Sequence, residues 1–142
     1  MDIARVEKRI GVRAPTDRIW ELIADLPHWS RWNPVESELE GAIVFGGQIA
    51  FTETLGDGRR RGVGRVGEWQ PYAQLVWTEK RGLWFNAIRY FEIEELAPGN
   101  CIFANGMIFS GLRGELHHDR HRLALRRAVE SVSEGMKAAA EA

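Results

Sequence analysis

Residues 14–34 read APTDRIWELIADLPHWSRWNP, and the change of pattern within this stretch decides the fold. Pro15 suits the first turn of a helix, where a backbone N–H would have no partner. The apolar residues that follow repeat at the spacing of one helical face, and they are Ile19, Leu22, Ile23 and Leu26. Pro27 predicts the end of this helix. The tryptophan-rich segment 29–34 predicts a second brief helix that ends before Pro34, because proline restricts the residue preceding it.

Strand patterns flank these two short helices. Residues 3–13 alternate in type, which predicts a half-exposed strand with Val6, Ile10 and Val12 facing inward. After the helices, alternating runs are broken by Gly, Asp, Asn and Pro, as in successive antiparallel strands joined by tight turns. The predicted strands are 35–45, 47–55, 62–71, 73–81, 84–96 and 101–112.

The C-terminal segment, from about Gly114 to Ala142, has no proline and many Ala, Glu, Arg and Lys residues. This composition predicts one long helix. Its apolar residues form a single stripe, made of Leu125, Val129, Val132, Met136 and Ala139. We expect the stripe to pack on the sheet, which is the only large apolar surface available to it.

Composition limits the class of protein. The chain has 142 residues, of which 44% are hydrophobic and 27% charged, so we expect one globular domain spanning residues 1–142. Lys and Arg number 19 against 20 Asp and Glu, a formal net charge of −1 that gives no general attraction for nucleic acid or an anionic membrane. We therefore predict no nucleic-acid partner.

The cysteine content and the N-terminal sequence indicate the cellular compartment of the protein. Cys101 is the single cysteine, so no internal disulfide or cysteine zinc site is expected, and the side chain is predicted to be a small buried hydrophobe. The first residues are charged and resemble no signal peptide, and no apolar run is long enough to span a membrane. The prediction is a cytoplasmic protein, monomeric or homodimeric.

The order of elements and several local motifs resemble the helix-grip proteins of the SRPBCC superfamily, which includes START-like and polyketide cyclase/dehydrase-like proteins. Residues 14–25 are similar to that group's opening segment, and WSRWNP at 29–34 is similar to its Trp-Asn-Pro motif. Residues 76–77, 91–93 and 109–112 match three later motifs in order. The resemblance implies an α+β helix-grip fold: a curved seven-stranded antiparallel sheet around a long C-terminal helix, with two short helices between strands 1 and 2.

The resemblance also implies a cavity between the sheet and the long helix. Two departures weaken any transfer of a catalytic acid–base pair to this chain. Arg89 stands where the superfamily often has His, and Met107 stands where it often has Glu.

Successive residues of a strand face opposite sides of the sheet, so the parity of a residue's position decides its side. We expect the side with the bulky apolar residues to face inward and line the cavity. The apolar lining is Phe51, Trp77, Phe85, Phe91, Phe103, Met107 and Phe109. For the predicted strand 62–71, the same rule predicts that Val63, Arg65 and Trp69 face inward. Five polar residues share the inward face: Glu53, Arg65, Glu79, Arg89 and Asn105. Because buried charge is costly unless paired, these side chains either form a structural network or meet a ligand's polar group.

Histidines near the start of the C-terminal helix are further candidates. His118 and His121 continue the stripe of Leu125, so we expect them at the cavity mouth, where they could orient a ligand or transfer a proton. His117 and His121 lie one helical turn apart, as in some zinc sites, but the glutamate base of such a helix is absent. No metal site and no cofactor are predicted.

Two further features concern the predicted strands and one of their turns. Five glycines inside predicted strands indicate bulges or close backbone approach, and they are Gly62, Gly64, Gly67, Gly106 and Gly111. The run Arg59–Arg61 is predicted to be a solvated hairpin tip.

Three functions fit these observations. The first is binding of a small hydrophobic molecule, aromatic, polycyclic or lipid-like, in an internal cavity. The second is a cyclase or dehydratase of the polyketide type, with His121 or Glu79 as base and Arg89 stabilising an enolate oxygen. The third, more distant, is a regulatory module that contacts another protein. A cavity filled by side chains would contradict the first two functions and favour the third.

Overall fold

A computed structural model describes residues 4–142, so the predicted beginning of strand 1 at Ile3 lies outside the described residues. The strands are β1 (Ala4–Val12), β2 (Glu36–Gly41), β3 (Gln48–Leu55), β4 (Gly58–Gln70), β5 (Gln74–Gly82), β6 (Phe85–Ala97) and β7 (Asn100–Ser110). The helices are α1 (Thr16–Ala24), a 3₁₀ helix (Leu26–Arg31), α2 (Leu112–Arg120) and α3 (Arg122–Glu141). This is the α+β helix-grip architecture that the sequence predicts.

All seven strands form one antiparallel sheet in the order β1-β7-β6-β5-β4-β3-β2. The register shifts between Val66 and Trp69, so Gly67 lies in one of the irregularities predicted from the strand glycines. Helix α3 packs against β1, β7 and β3. The core therefore lies between one face of the sheet and the helices.

The tryptophan motif joins the short helices to the rest of the core. The indole N–H of Trp29 donates to the carbonyl of Ile23 at 2.8 Å, and that of Trp32 donates to the carbonyl of Leu22 at 3.0 Å. Both rings are buried and pack edge-on against Phe91. On the other side, a Cβ at Gly135 would overlap the carbonyl oxygen of Trp32, so only glycine lets α3 approach this closely.

Two sequence predictions about the helices need correction. The second short helix covers Leu26–Arg31 and not 29–34, so it begins at the residue before Pro27 and ends before Trp32. The C-terminal helix is not continuous, because His121 has non-helical backbone angles (φ −111°, ψ 20°) and separates α2 from α3. Composition favours helix on both sides of His121 and gives no sign of this break.

The parity prediction for β4 is wrong. Val63 and Arg65 are exposed, whereas Gly62, Gly64 and Val66 are buried. A Cβ at Gly64 would overlap the Trp77 ring, and one at Gly62 would overlap the Glu79 carboxylate. The inward face of β4 thus carries the smallest residues because large side chains from β5 and β3 lie over them.

Candidate functional site

An inner cavity lies on the concave side of the sheet, lined by side chains that include Glu36, Phe51, Arg60, Trp77, Glu79, Arg89, Met107 and Phe109. Its volume is about 20 Å³, room for about one water molecule. The space that the sequence predicts for a ligand is therefore almost filled by side chains in this structure.

A buried ion pair forms one wall of the inner cavity. Arg89 Nε donates to Glu36 Oε2 at 2.7 Å, and Arg89 Nη2 donates to Glu36 Oε1 at 3.1 Å. The third guanidinium nitrogen, Nη1, donates to the carbonyl of Gly106 at 3.0 Å. The two side chains are only 6% and 1% exposed, so each charge depends on the other for its stabilisation.

The Trp-Asn-Pro motif positions this ion pair. Asn33 Oδ1 accepts hydrogen bonds from the backbone N–H groups of Val35 and Glu36, each at 2.8 Å. Asn33 Nδ2 donates to Glu36 Oε1 at 2.9 Å. One amide side chain thus fixes both the turn into β2 and the carboxylate that meets Arg89.

A second ion-pair cluster lies at the other wall, where Arg60 from β4 contacts two glutamates. Its Nη1 and Nη2 donate to the two oxygens of Glu79 at 2.6 and 2.8 Å, and its Nε donates to Glu53 at 3.0 Å. Burial alone would lower the pKa of Arg60, but the hydrogen bond to Glu79 and the charge of Glu53 raise it above its ordinary value. Both inward glutamates predicted from parity are therefore held by one guanidinium.

Three rings pack together where the inner cavity adjoins a surface groove, and we call them the aromatic partition: Phe85, Phe109 and His117. The His117 ring centroid lies 5.1 Å from that of Phe85 and 5.2 Å from that of Phe109. Arg81 lies beside the partition, with its Cζ 4.4 Å from the Phe85 centroid and its Nη1 3.5 Å from His117 Nε2.

An outer groove of about 210 Å³ lies on the surface side of the partition. Its lining consists of Phe85, Arg113, Leu116, His117, Arg120 and His121. Burial lowers the pKa of His117 to about 4, with further contributions from the charges of Arg81 and His121. The His117 ring is thus uncharged at neutral pH.

The predicted site residues fall into several places. Phe51, Glu53, Trp77, Glu79, Arg89, Met107 and Phe109 line the inner cavity, while Phe85 and His121 line the outer groove. Phe91 and Phe103 are fully buried against the tryptophans of the motif. Asn105 is also buried, and its Nδ2 donates to Val129 and Ser133 of α3. His118 contacts Asp119 instead of the groove. Arg65 is exposed, which corrects its predicted inward orientation.

Two of the three catalytic candidates, Glu79 and Arg89, line the inner cavity, and the third, His121, does not. Arg89 is held by Glu36, Glu79 is held by Arg60, and His121 lines the outer groove beyond the aromatic partition.

The sequence did not identify Glu36, Arg60 and Arg81 of the inner cavity as site residues, nor Arg113, Leu116 and Arg120 of the outer groove. It suggested His117 only as a metal ligand. Arg60 belongs to a run predicted to be solvated, yet its side chain is 27% exposed and faces the cavity. One feature of the sequence could have revealed the orientation of Arg60. Gly62 and Gly64 follow it at alternate positions, so all three residues face the same side of β4. Small residues, and not bulky ones, mark the inward face there.

A seven-stranded antiparallel sheet packed against a C-terminal helix, with a cavity on its inner face, defines a helix-grip protein. The sequence matches the family model for polyketide cyclase / dehydrase and lipid transport over residues 4–141, and the chain belongs to this family. No curated protein matches the sequence significantly.

Several solved structures share the fold. A START superfamily protein from Mycobacterium smegmatis aligns with a TM-score of 0.75 and 16% identity, over 96% of this chain and 97% of that one. An aromatase/cyclase from a Streptomyces species aligns with a TM-score of 0.71 and 16% identity, over 98% and 92%.

A di-domain aromatase/cyclase from the steffimycin biosynthetic pathway aligns with a TM-score of 0.75 and 14% identity over 98% of this chain. This chain spans only 51% of that protein and 45% of a second di-domain aromatase/cyclase. Separately, none of the helices within residues 4–142 is long and apolar enough to cross a membrane.

Proposed function

We propose that this chain binds a small, largely apolar molecule, aromatic or lipid-like, in the outer groove against the aromatic partition. The observation that carries the proposal is that a groove of about 210 Å³, lined by Phe85 and two histidines, lies against the partition, whereas the inner cavity has only about 20 Å³. A cavity of roughly 150 Å³ is sufficient for benzene, so the groove accommodates one or two rings. The inner cavity, in this conformation, accommodates none.

The groove has the composition of a small-molecule site. Phe85 and Leu116 supply apolar surface, while His117 and His121 supply polar ring atoms. Leu83, Trp84 and Leu112 extend the exposed apolar surface next to it, at the β5–β6 turn and the start of α2. An apolar ligand that approaches the groove therefore meets apolar surface first.

Binding is favoured over polyketide-type catalysis because both inward glutamates and Arg89 already form ion pairs. A cyclase reaction needs a base and an enolate-stabilising group that face one reacting molecule. Glu79 and Arg89 line the same inner cavity but are both ion-paired there, and His121 lies on the other side of the aromatic partition.

Native mass spectrometry of the purified protein, followed by calorimetry with a panel of one- and two-ring aromatic compounds, tests this proposal. Leu116→Trp fills the groove and should weaken binding about tenfold or more. Leu123→Trp is the matched control, because Leu123 is equally exposed and does not line the groove. Equal effects of the two substitutions, or no binding by any compound, would refute the proposal.

A further inference from the structure

The outer groove carries an unusual concentration of arginines. Arg113 and Arg120 line it directly, while Arg81 lines the inner cavity and its Nη1 lies 3.5 Å from His117 Nε2. Arg113 and Arg120 are exposed, so their guanidinium groups are available to a molecule in the groove.

The carboxylates near these arginines are engaged elsewhere. Glu53 and Glu79 hold Arg60, and Asp119 contacts His118 and Arg122. Within residues 4–142, Arg81, Arg113 and Arg120 form no salt bridge. Arg113 and Arg120 therefore have no close carboxylate partner among these residues, whereas Arg81 lies within the field of Glu53 and Glu79.

Helix α2 segregates its charges by face. Positions 113, 116, 117 and 120 follow the i, i+3, i+4, i+7 spacing and form the face that lines the groove. Glu115 and Asp119 fall on the remaining faces and do not line it. The groove is thus cationic even though the net charge of the chain is −1.

The low pKa of His117 agrees with this charge distribution. After burial, the charge of Arg81 is the largest cause of the lowering, and Arg60 adds to it. Burial and Arg60 likewise lower the pKa of Arg81 itself, with Glu53 and Glu79 opposing the effect. A molecule that brought negative charge to the groove would relieve the repulsion among these groups.

We propose that the outer groove selects an anionic ligand: a small aromatic molecule whose carboxylate accepts hydrogen bonds from Arg113 and Arg120 while its ring packs on Phe85 and Leu116. The planar guanidinium donors of arginine match a carboxylate in geometry and charge. This inference rests on the proposed function and specifies the chemistry of the ligand.

The test compares two probes of nearly equal shape, 2-naphthoate and the neutral 2-naphthamide, by calorimetry with the full chain at low salt. We expect the naphthoate to bind about tenfold more tightly, the contribution of one charge-assisted hydrogen-bonded pair. Arg113→Gln and Arg120→Gln should each remove most of this preference. Arg9→Gln makes the same change of charge on β1, outside the groove, and should leave the preference intact.

A second measurement monitors His117 by NMR. Naphthoate should raise the pKa of His117 from its value of about 4, because a nearby anion stabilises the imidazolium, and naphthamide should not.

The outcomes separate the two proposals. If both probes bind equally, the inference is wrong and the proposed function stands. If neither probe binds at millimolar concentration, both are wrong. A preference for naphthoate that survives both groove substitutions would also overturn the inference, because the anion would then be held elsewhere.

Discussion

Arginines occupy two different environments in this protein. On the inner side of the aromatic partition, Arg60 and Arg89 are each bound by glutamate carboxylates and shielded from solvent. On the outer side, Arg113 and Arg120 have no carboxylate partner among the described residues and line an open groove. Arg81 lies at the boundary, against Phe85 and His117.

The difference shows that residue type alone does not identify a functional charge. The inner guanidinium groups have their hydrogen-bonding capacity met by the protein, so their first role is to hold β2, β4, β5 and β6 together. The outer groups are exposed and form no salt bridge among the described residues, so we expect them to contribute little to the fold. Four predictions test this difference between the two sides of the aromatic partition, in order of decreasing expected effect on stability.

Removing an inner arginine should cost the most stability. Arg89→Met leaves the buried Glu36 carboxylate without its partner, and we expect a loss of about 3–5 kcal/mol in the free energy of unfolding by urea denaturation. The double variant Glu36→Leu with Arg89→Met should recover much of the loss, since no unpaired charge remains. A loss below about 1 kcal/mol for the single variant would contradict the structural role.

The small size of the inner cavity depends on the glycines of β4. Gly64→Ala forces a methyl group against Trp77 and should destabilise the protein by about 1–3 kcal/mol. Gly67→Ala, on the same strand, meets no atom within 4 Å and should change stability by less than about 0.5 kcal/mol. If thermal unfolding shows equal losses for the two variants, the side chains do not pack over β4 as described.

The partition should make stability depend on pH through His117. Its pKa is about 4 in the folded state against 6.5 for a free side chain, so the unfolded chain binds the proton more tightly. The stability is therefore fully present above about pH 6.5 and is lost as the pH falls toward 4. After discounting for solvent screening of this half-buried ring, we expect a difference of about 1 kcal/mol.

His117→Phe keeps the ring and removes the titration. Urea denaturation at pH 7 and pH 4.5 should therefore show a smaller loss of stability in this variant than in the native chain. An identical pH dependence in the two proteins would mean that His117 is not desolvated by the partition.

Removing an outer arginine should have the smallest effect on folding. Arg113→Gln and Arg120→Gln replace exposed charges without salt-bridge partners among the described residues, so stability should change by less than about 0.5 kcal/mol. Arg113 also lies in the first turn of α2, where a positive charge opposes the helix dipole. A loss above about 1.5 kcal/mol in the free energy of unfolding by urea would mean that these arginines stabilise the fold as the inner arginines do.

Much of the inner cavity's lining could be predicted from the sequence, but only Phe85 and His121 of the outer groove's lining. Parity is correct on β3, β5, β6 and β7, where Phe51, Trp77, Arg89 and Met107 are buried as expected. It fails on β4, because the rule assigns bulky side chains to the interior and this strand turns its glycines there. The remaining misses, Glu36 and Arg81, lie near strand ends, where alternation gives little information about burial.

Local patterns predicted the order of the strands and helices and most of the hydrophobic core, because periodicity and turn residues act along each segment, but they did not predict the break at His121. The tertiary structure decided which charges are paired. Glu36 and Arg89 are separated by 53 positions in the chain, and Arg60 and Glu79 by 19. It also decided that the inner space is filled and the outer groove is open, because a cavity's volume depends on how closely side chains from several strands and helices approach one another.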